Sequence, residues 1–257
     1  MLGKVLKGDI FVGSIHRSLS CGEFKVVEIN TSKNVLVEFL ETGFQTKVQA
    51  CQIRLGTIKD KWSATVCGVG VCGSKYPVSE KSGKLTREYL TWANMIKRCY
   101  EKDKTTRHPT YEDCSVSENF IKYTYFYEWC HQQIGFDNED WHMDKDIVFK
   151  GNKLYSEDTC VFVPREINNL FTTRVRFRGE FPIGVHYSTG KGKFVAQISK
   201  NCDKRIHLGL FDTPEEAYLA YKKEKECYIK EVAEKWKDKV DNRVYEALVS
   251  YEVEDFD

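Results

Sequence analysis

Three side chains in the segment WHMDKDIVF are of the types that hold a divalent cation. His142, Asp144 and Asp146 are spaced two residues apart, and the alternation of apolar and polar residues over 141–149 predicts a β-strand with all three on one face. Two carboxylates and an imidazole on one face suit Mg²⁺ or Mn²⁺. The alternative is a strand of an antiparallel hairpin whose charged face is turned to solvent.

The charge distribution places this segment beside a basic one. Residues 137–158 contain seven acidic residues and three lysines, whereas residues 172–212 contain eight basic residues and three acidic ones. An acidic block next to a basic block is typical of a metal site beside a phosphate-binding surface. Solvated surfaces show the same pattern, so charge alone does not decide between the two interpretations.

The elements that position these side chains can be predicted from the flanking sequence. TCVFVP predicts a second strand after the turn GNKLYSED, and PREINNLF predicts a helix with Pro164 at or near its first position. The order strand, turn, strand, helix predicts a ββα unit.

Residues 182–235 predict a three-stranded sheet followed by one helix. PIGVHY, KFVAQIS and RIHLGLF alternate as short strands, and a capping box starts the helix at Thr213, Pro214 and Glu216. One side of the sheet must pack against the apolar face of that helix, which consists of Ala217, Ala220, Tyr221 and Tyr228. The other side is then exposed and carries His186, Lys193, Gln197, Ser199, Arg205 and His207. Such a polar, basic face suits the major groove of DNA, and a merely solvated face is the alternative.

The N-terminal part of the chain predicts strands and then helices. GDIFVG, FKVVEIN, NVLVEFLET and TKVQACQI are short and separated by turns, which predicts a small antiparallel β-barrel over residues 1–60 that resembles Tudor/KOW-type barrels. Residues 61–87 are rich in Gly, Ser and Lys and predict a linker. TREYLTWANMIKRCYE and NFIKYTYFYEWCHQQIG carry apolar residues at helical spacing and predict two helices.

Composition excludes several classes of protein. Of the 257 residues, 41% are hydrophobic, 30% charged and 13% aromatic, which excludes intrinsic disorder over most of the length. No apolar run approaches the length of a membrane span, and MLGKVLKGD does not have the pattern of a signal peptide. We therefore expect a cytoplasmic protein that does not associate with a membrane. The ten cysteines are expected to be reduced thiols.

The last segment resembles the ethylene-response-factor (APETALA-class) DNA-binding domain of plants and bacteriophages. The matches are Ile183-Gly184-Val185, Lys193–Ile198, Leu208–Phe211, Thr213–Ala217 and Ala220-Tyr221. The resemblance implies a sheet lying in the major groove of duplex DNA, with contacts at His186, Lys191, Lys193, Gln197, Ser199, Arg205 and His207. His186, Ser199 and His207 stand where the family usually has arginine or tryptophan, which predicts backbone contacts and weakened base specificity. The preceding Arg174, Arg176 and Arg178 are expected to contact phosphates.

The middle segment resembles a diverged HNH nuclease core of phage homing endonucleases. In the run Met143–Ile147, Asp144 matches the metal ligand, while Lys145 stands at the position of the general-base histidine. Asn152 follows in the turn, and Asn168 matches the last motif position. The resemblance implies a catalytic set of Asp144, Lys145, His142 and Asn168 and a Mg²⁺ site, needed only by an active nuclease, at Asp144, Asp146 and Asn168. Lysine beside two carboxylates is a poor base, so the nuclease fold is a better expectation than nuclease activity.

The predicted fold class is therefore α+β, in five segments. These are the barrel at 1–60, the linker at 61–87, an HNH-like ββα domain at 88–172, a sheet-plus-helix domain at 173–240 and an acidic tail at 241–257. The whole arrangement looks like that of tailed-phage proteins that act in the cytoplasm of an infected bacterium.

Three functions follow from this reading. The first is a phage DNA-binding protein built on a homing-endonuclease scaffold that has lost or altered its catalysis. The second is an active metal-dependent endonuclease that nicks or cuts DNA. The third is a phage protein that binds a host protein through the barrel and the tail residues Glu252, Glu254, Asp255 and Asp257. The sequence does not predict the oligomeric state.

Overall fold

The computed structural model describes residues 5–101, 111–171, 180–200 and 204–255, and of Lys204 the backbone only. The described chain is a mixed α+β protein with six helices and several small sheets, which confirms the predicted fold class. It divides into two compact units, residues 1–129 and residues 130–257. No helix in the described ranges is long and apolar enough to cross a membrane.

The first unit begins with a four-stranded antiparallel sheet in the order β1-β2-β3-β4. Its strands are β1 (Ile15–Ser18), β2 (Gly22–Thr31), β3 (Asn34–Phe39) and β4 (Gln45–Val48). Phe24, Val26, Val35 and Val37 alternate inward along β2 and β3 and are fully buried. Among the described residues β1 and β4 do not pair with each other, so the predicted closed barrel is not confirmed.

Two of the predicted N-terminal strands were wrong in extent. Of GDIFVG, only Ile10 takes part in a β-bridge, which is an isolated one with Leu6. TKVQACQI ends as a strand at Val48 and continues as α1 (Ala50–Leu55). The reason is a capping interaction, since the Gln52 side chain accepts the Gln49 N–H at 2.9 Å and satisfies a donor that the first turn leaves free.

The rest of the first unit is built on aromatic side chains. The predicted linker contains the hairpin β5 (Ala64–Val66) and β6 (Gly70–Val71), and then come α2 (Arg87–Tyr100), β7 (Ser115–Val116) and α3 (Tyr123–Cys130). The two predicted helices are confirmed, although α3 is shorter than its apolar pattern. Trp92 is fully buried, and its indole N–H donates to the Phe120 carbonyl at 2.7 Å.

The second unit opens with the predicted hairpin and helix. It contains β8 (Trp141–Asp144), β9 (Leu154–Tyr155), β10 (Val161–Pro164) and α4 (Arg165–Asn168), and β8 pairs antiparallel with β10. Pro164 is the N-cap of α4 and lies next to its first helical residue, as expected. Val161 and Val163 on β10 are buried and attach the hairpin to the core.

The predicted three-stranded sheet follows, in the order β11-β12-β13. Its strands are β11 (Val185–Ser188), β12 (Lys193–Lys200) and β13 (Lys204–Phe211), all antiparallel. The capping box starts α5 (Pro214–Trp236) as predicted, with the Thr213 side chain accepting the Glu216 N–H. The segment expected to be an acidic tail contains α6 (Asn242–Val249), which buries Val244 and Leu248.

One hydrophobic core joins the hairpin and α4 of the second unit to its sheet and last two helices. Ile147, Val163 and Ile167 from the hairpin and α4 belong to the same buried cluster as Ile198 of the sheet and Tyr221 of α5. The predicted boundary between residues 172 and 173 therefore falls between segments that share a core. The five-segment division stays a prediction.

Candidate functional site

Asp144 ends strand β8 and turns the chain. Its Oδ1 accepts the backbone N–H groups of Asp146 and Ile147, each at 2.9 Å. A carboxylate that accepts N–H groups two and three residues ahead stabilises a turn instead of a strand. The predicted strand 141–149 therefore stops at Asp144, and the expectation that His142, Asp144 and Asp146 share one strand face was wrong.

The two carboxylates nevertheless act on each other. Burial, reinforced by the charge of Asp146, raises the pKa of Asp144 to about 6. Burial also works to raise the pKa of Asp146, but hydrogen bonds with Asp144 and Lys145 outweigh it and hold that pKa below its ordinary value. The two groups therefore titrate as a pair that retains one proton more readily than an isolated carboxylate does.

Lys145 lies where the resemblance places the general base, and its contacts are those of a structural cation. The side chain is 7% exposed, and its ammonium donates to Asp146 Oδ2 at 2.9 Å and to the Asn152 carbonyl at 2.8 Å. The Asn152 side chain donates in return to the Lys145 carbonyl at 2.7 Å. This reciprocal pair closes the turn after β8, and the ammonium compensates the charge of Asp146.

His142 does not join this group. It lies on β8 opposite Val163 and is exposed, and it does not line the cavity that contains the two carboxylates. Within the described part of the chain, no cluster of three or more His, Cys, Asp or Glu side chains could hold a metal ion. The predicted imidazole ligand is thus absent from the carboxylate pair.

Seven of the predicted site residues line one cavity of about 810 Å³. Asp144, Asp146 and Asn168 line it from the hairpin and α4. From the sheet, it is lined by four of the predicted DNA-binding residues, which are His186, Gln197, Ser199 and Arg205. Its size is that of a typical ligand site.

Sequence reasoning missed the aromatic wall of this cavity. Phe171, Phe181 and Tyr251 line it beside Tyr221, and the rings of Phe171 and Tyr251 lie 4.7 Å apart. Only Tyr221 had been singled out, as part of the apolar face of α5. The others lie outside any periodic pattern, so no local signal would have placed them here.

The open face of the sheet is defined by the cross-strand register. His186 lies opposite Val195, which lies opposite Leu210, and Gln197 and Ser199 lie opposite His207 and Arg205. A β-bulge at Ala196/Gln197 leaves Leu208 as the extra residue of β13, so that Leu208 and Ile206 pack against the core on the other side. The bulge thereby keeps the predicted polar residues on one face.

The charges of this face are only partly compensated by the protein. Lys193 forms an ion pair with Asp212 at 2.9 Å, and both side chains are well exposed. Lys191 in the turn before β12, and Arg205 on β13, are exposed. The neighbouring Lys200 instead points to α5, where it contacts Glu224 at 2.9 Å and Glu231 at 3.5 Å. Arg174, Arg176 and Arg178 lie outside the described residues.

Comparison of the chain with protein-family models, with curated proteins and with solved structures finds no match. The resemblance to the APETALA-class and HNH families therefore stays a prediction, and the functional argument depends on the geometry of the site.

Proposed function

We propose that this protein binds duplex DNA through the open face of its C-terminal sheet. The observation that carries the proposal is the register of β11, β12 and β13, which places His186, Gln197, Ser199, Arg205 and His207 on one solvent-facing side. The opposite side is committed to the core through Ile198, Ile206 and Leu208. The polar side is then the part of the sheet that remains for a ligand.

The chemistry of the face fits a DNA groove. A small sheet can enter the major groove, where glutamine pairs with adenine and where arginine and lysine contact phosphates or guanine. The Lys193–Asp212 ion pair is exposed, and such pairs contribute little stability. Its lysine can therefore be redirected to a phosphate at little cost.

The number of cations sets the expected strength and salt dependence. Lys191, Lys193 and Arg205 supply about three phosphate contacts, so log Kd should rise with log salt with a slope of about 3. A fourfold rise in salt concentration should therefore weaken binding by roughly 40-fold.

The test is a mobility shift of a labelled duplex with variants of the face. Arg205→Ala and Gln197→Ala should each weaken binding, and Arg205→Ala should also lower the salt slope by about one. Lys230→Ala is the matched control, because Lys230 is an exposed cation on α5, away from the face. Equal affinity of Arg205→Ala, Lys230→Ala and the parent chain would refute the proposal.

A second candidate, a metal-dependent endonuclease, is favoured by the cavity. Asp144, Asp146 and Asn168 share it with sheet residues of the proposed DNA surface, and carboxylate and amide oxygens are the donors that Mg²⁺ takes while keeping several waters. The three residues fit such an ion, which would supply Lewis-acid stabilisation at a phosphate. Asp144 and Asp146 would hold the ion, and Lys145 would keep Asp146 ionised.

Supercoiled DNA distinguishes the two candidates. The protein is incubated with it in Mg²⁺, in Mn²⁺ or in EDTA, and the products are separated on a gel. Nicking that requires metal and disappears in Asp144→Asn supports the endonuclease. A shift without nicking in all three conditions leaves DNA binding alone.

A further inference from the structure

Trp62 in the first unit is an exposed aromatic side chain whose main chain is held by hydrogen bonds. It is 51% exposed, although its neighbour Asp60 is only 2% exposed. Asp60 accepts the backbone N–H of Trp62 at 2.7 Å and the Thr42 hydroxyl at 2.6 Å. The indole also lies 5.6 Å, centroid to centroid, from the buried ring of Phe44. The fixed main chain and the contact with Phe44 restrict the indole before a ligand binds, which lowers the entropy cost of binding.

The indole borders a cavity of about 390 Å³ with a preformed backbone. Two hydrogen bonds join its walls, from the Val71 N–H to the Ile121 carbonyl at 3.0 Å and from the Gly73 N–H to the Lys61 carbonyl at 2.7 Å. Gly73 has φ +69, and a Cβ there would lie 2.8 Å from Thr124 Cγ2. The space beside Trp62 is therefore set by the fold and does not require a rearrangement.

Three lysines lie close to Trp62, in the cavity or in the chain. Lys75 and Lys122 line the cavity, and Lys61 precedes Trp62. Lys61 and Lys122 are exposed, and neither forms an ion pair with an acidic side chain of the described ranges. Lys75 pairs with Glu128 at 2.5 Å, but both side chains are about half exposed or more, so the pair contributes little and can open.

Two further aromatic rings lie beside Lys75. Its ammonium lies 5.1 Å from the centroid of the Tyr76 ring, which stacks on Tyr127 with centroids 3.9 Å apart. An aromatic platform flanked by cations is the combination that binds nucleic acid without a second strand, since bases stack on the rings and phosphates meet the lysines.

We propose that the first unit binds single-stranded nucleic acid, with one unpaired base stacked on Trp62 and the neighbouring phosphates beside Lys61 and Lys122. The site lies in a different compact unit from the open sheet face and does not depend on the duplex binding proposed for that face. A base paired within a duplex presents only its edge in a groove, so stacking on Trp62 requires a single strand.

Fluorescence anisotropy of a labelled twelve-residue oligothymidylate, titrated with the full chain at low salt, tests the proposal. Trp62→Ala should weaken binding roughly 5- to 150-fold, the range for loss of one stacked base, and Trp62→Phe should retain most of the affinity. Leu55→Ala is the matched control, because Leu55 is a large apolar residue of the same unit and 66% exposed. Lys61→Gln combined with Lys122→Gln should lower the salt slope by about 1.4.

Two further comparisons separate this proposal from the duplex-binding one. Arg205→Ala should leave oligothymidylate binding unchanged, and Trp62→Ala should leave duplex binding unchanged. Binding of Trp62→Ala at the parent's affinity would overturn the proposal, as would the absence of oligothymidylate binding by the parent. An abasic oligonucleotide of equal length that bound as tightly as oligothymidylate would also overturn it, because it has no base to stack.

Discussion

Replacing Asp144 with asparagine should make the protein more stable at neutral pH. The two N–H groups that Asp144 Oδ1 accepts, from Asp146 and Ile147, can be accepted equally by an asparagine oxygen, so the turn after β8 should survive. What disappears is a buried negative charge beside a second carboxylate.

The magnitude follows from the pKa. In the folded chain the pKa of Asp144 is about 6, against an ordinary value of 3.8, and each tenfold change in the acidity constant corresponds to about 1.4 kcal/mol. Keeping Asp144 ionised above pH 6 therefore costs roughly 3 kcal/mol of folding free energy. Asp146 shares the proton and recovers part of that cost, so we expect Asp144→Asn to add about 1–3 kcal/mol at pH 7.5.

The raised pKa of Asp144 also fixes the direction in which stability changes with pH. Between about pH 4 and pH 6 the folded chain binds more protons at Asp144 than the unfolded chain does, so the contribution of this group to stability falls as pH rises through that window. The difference in unfolding free energy between Asp144→Asn and the parent should accordingly be larger at pH 7.5 than at pH 4.5.

Urea denaturation followed by far-UV circular dichroism at both pH values measures this difference. Asp140→Asn is the control, because Asp140 is an exposed carboxylate just before β8 and its replacement should change stability by less than about 0.5 kcal/mol. The reasoning is refuted if Asp144→Asn is no more stable than the parent at pH 7.5, or if its advantage does not depend on pH.

Two other predictions concern the same unit. Lys145→Met removes the donor to Asp146 and to the Asn152 carbonyl and should cost about 2–4 kcal/mol, whereas Lys230→Met, at an exposed position, should be close to neutral; equal unfolding midpoints in urea would contradict the structural role of Lys145. Gly184→Ala should cost about 2–4 kcal/mol, because Gly184 has φ +77 and a Cβ would lie 2.1 Å from the Tyr221 ring. Gly190→Ala, whose Cβ would meet nothing within 4 Å, is the control in thermal unfolding, and a similar loss in both variants would count against this packing argument.

The parts of the fold that could be predicted from the sequence are those with strong local signals. The apolar spacing of α2 and the capping box at Thr213 and Glu216 are both present as expected. The three C-terminal strands were also predictable, since alternation and turn residues agree there.

The misses share a physical cause, which is that a side chain or a distant surface overrides the local pattern. The alternation of WHMDKDIVF continues past Asp144, but the Asp144 carboxylate captures two N–H groups and ends the strand. Residues 241–257 look acidic and tail-like, yet Val244, Leu248 and Val253 supply enough apolar surface to pack against the core. The two carboxylates were found from spacing, whereas the partial burial of Asp144 and the partner Lys145 depend on contacts that spacing does not encode.

The core that the hairpin shares with the sheet and α5 predicts that these elements unfold together. A ligand that binds only the folded sheet raises the free energy of every state in which the core is open, relative to the folded state, by about 2.7 kcal/mol at a concentration one hundred times Kd. The backbone amides of Asp146 and Ile147 donate to Asp144 and lie outside the sheet. If these amides exchange with solvent only when the core opens, ligand binding to the sheet lowers their exchange rate. Their hydrogen exchange would then slow about one hundredfold on binding, so that occupancy of the sheet could be read at the carboxylate pair without any movement between them.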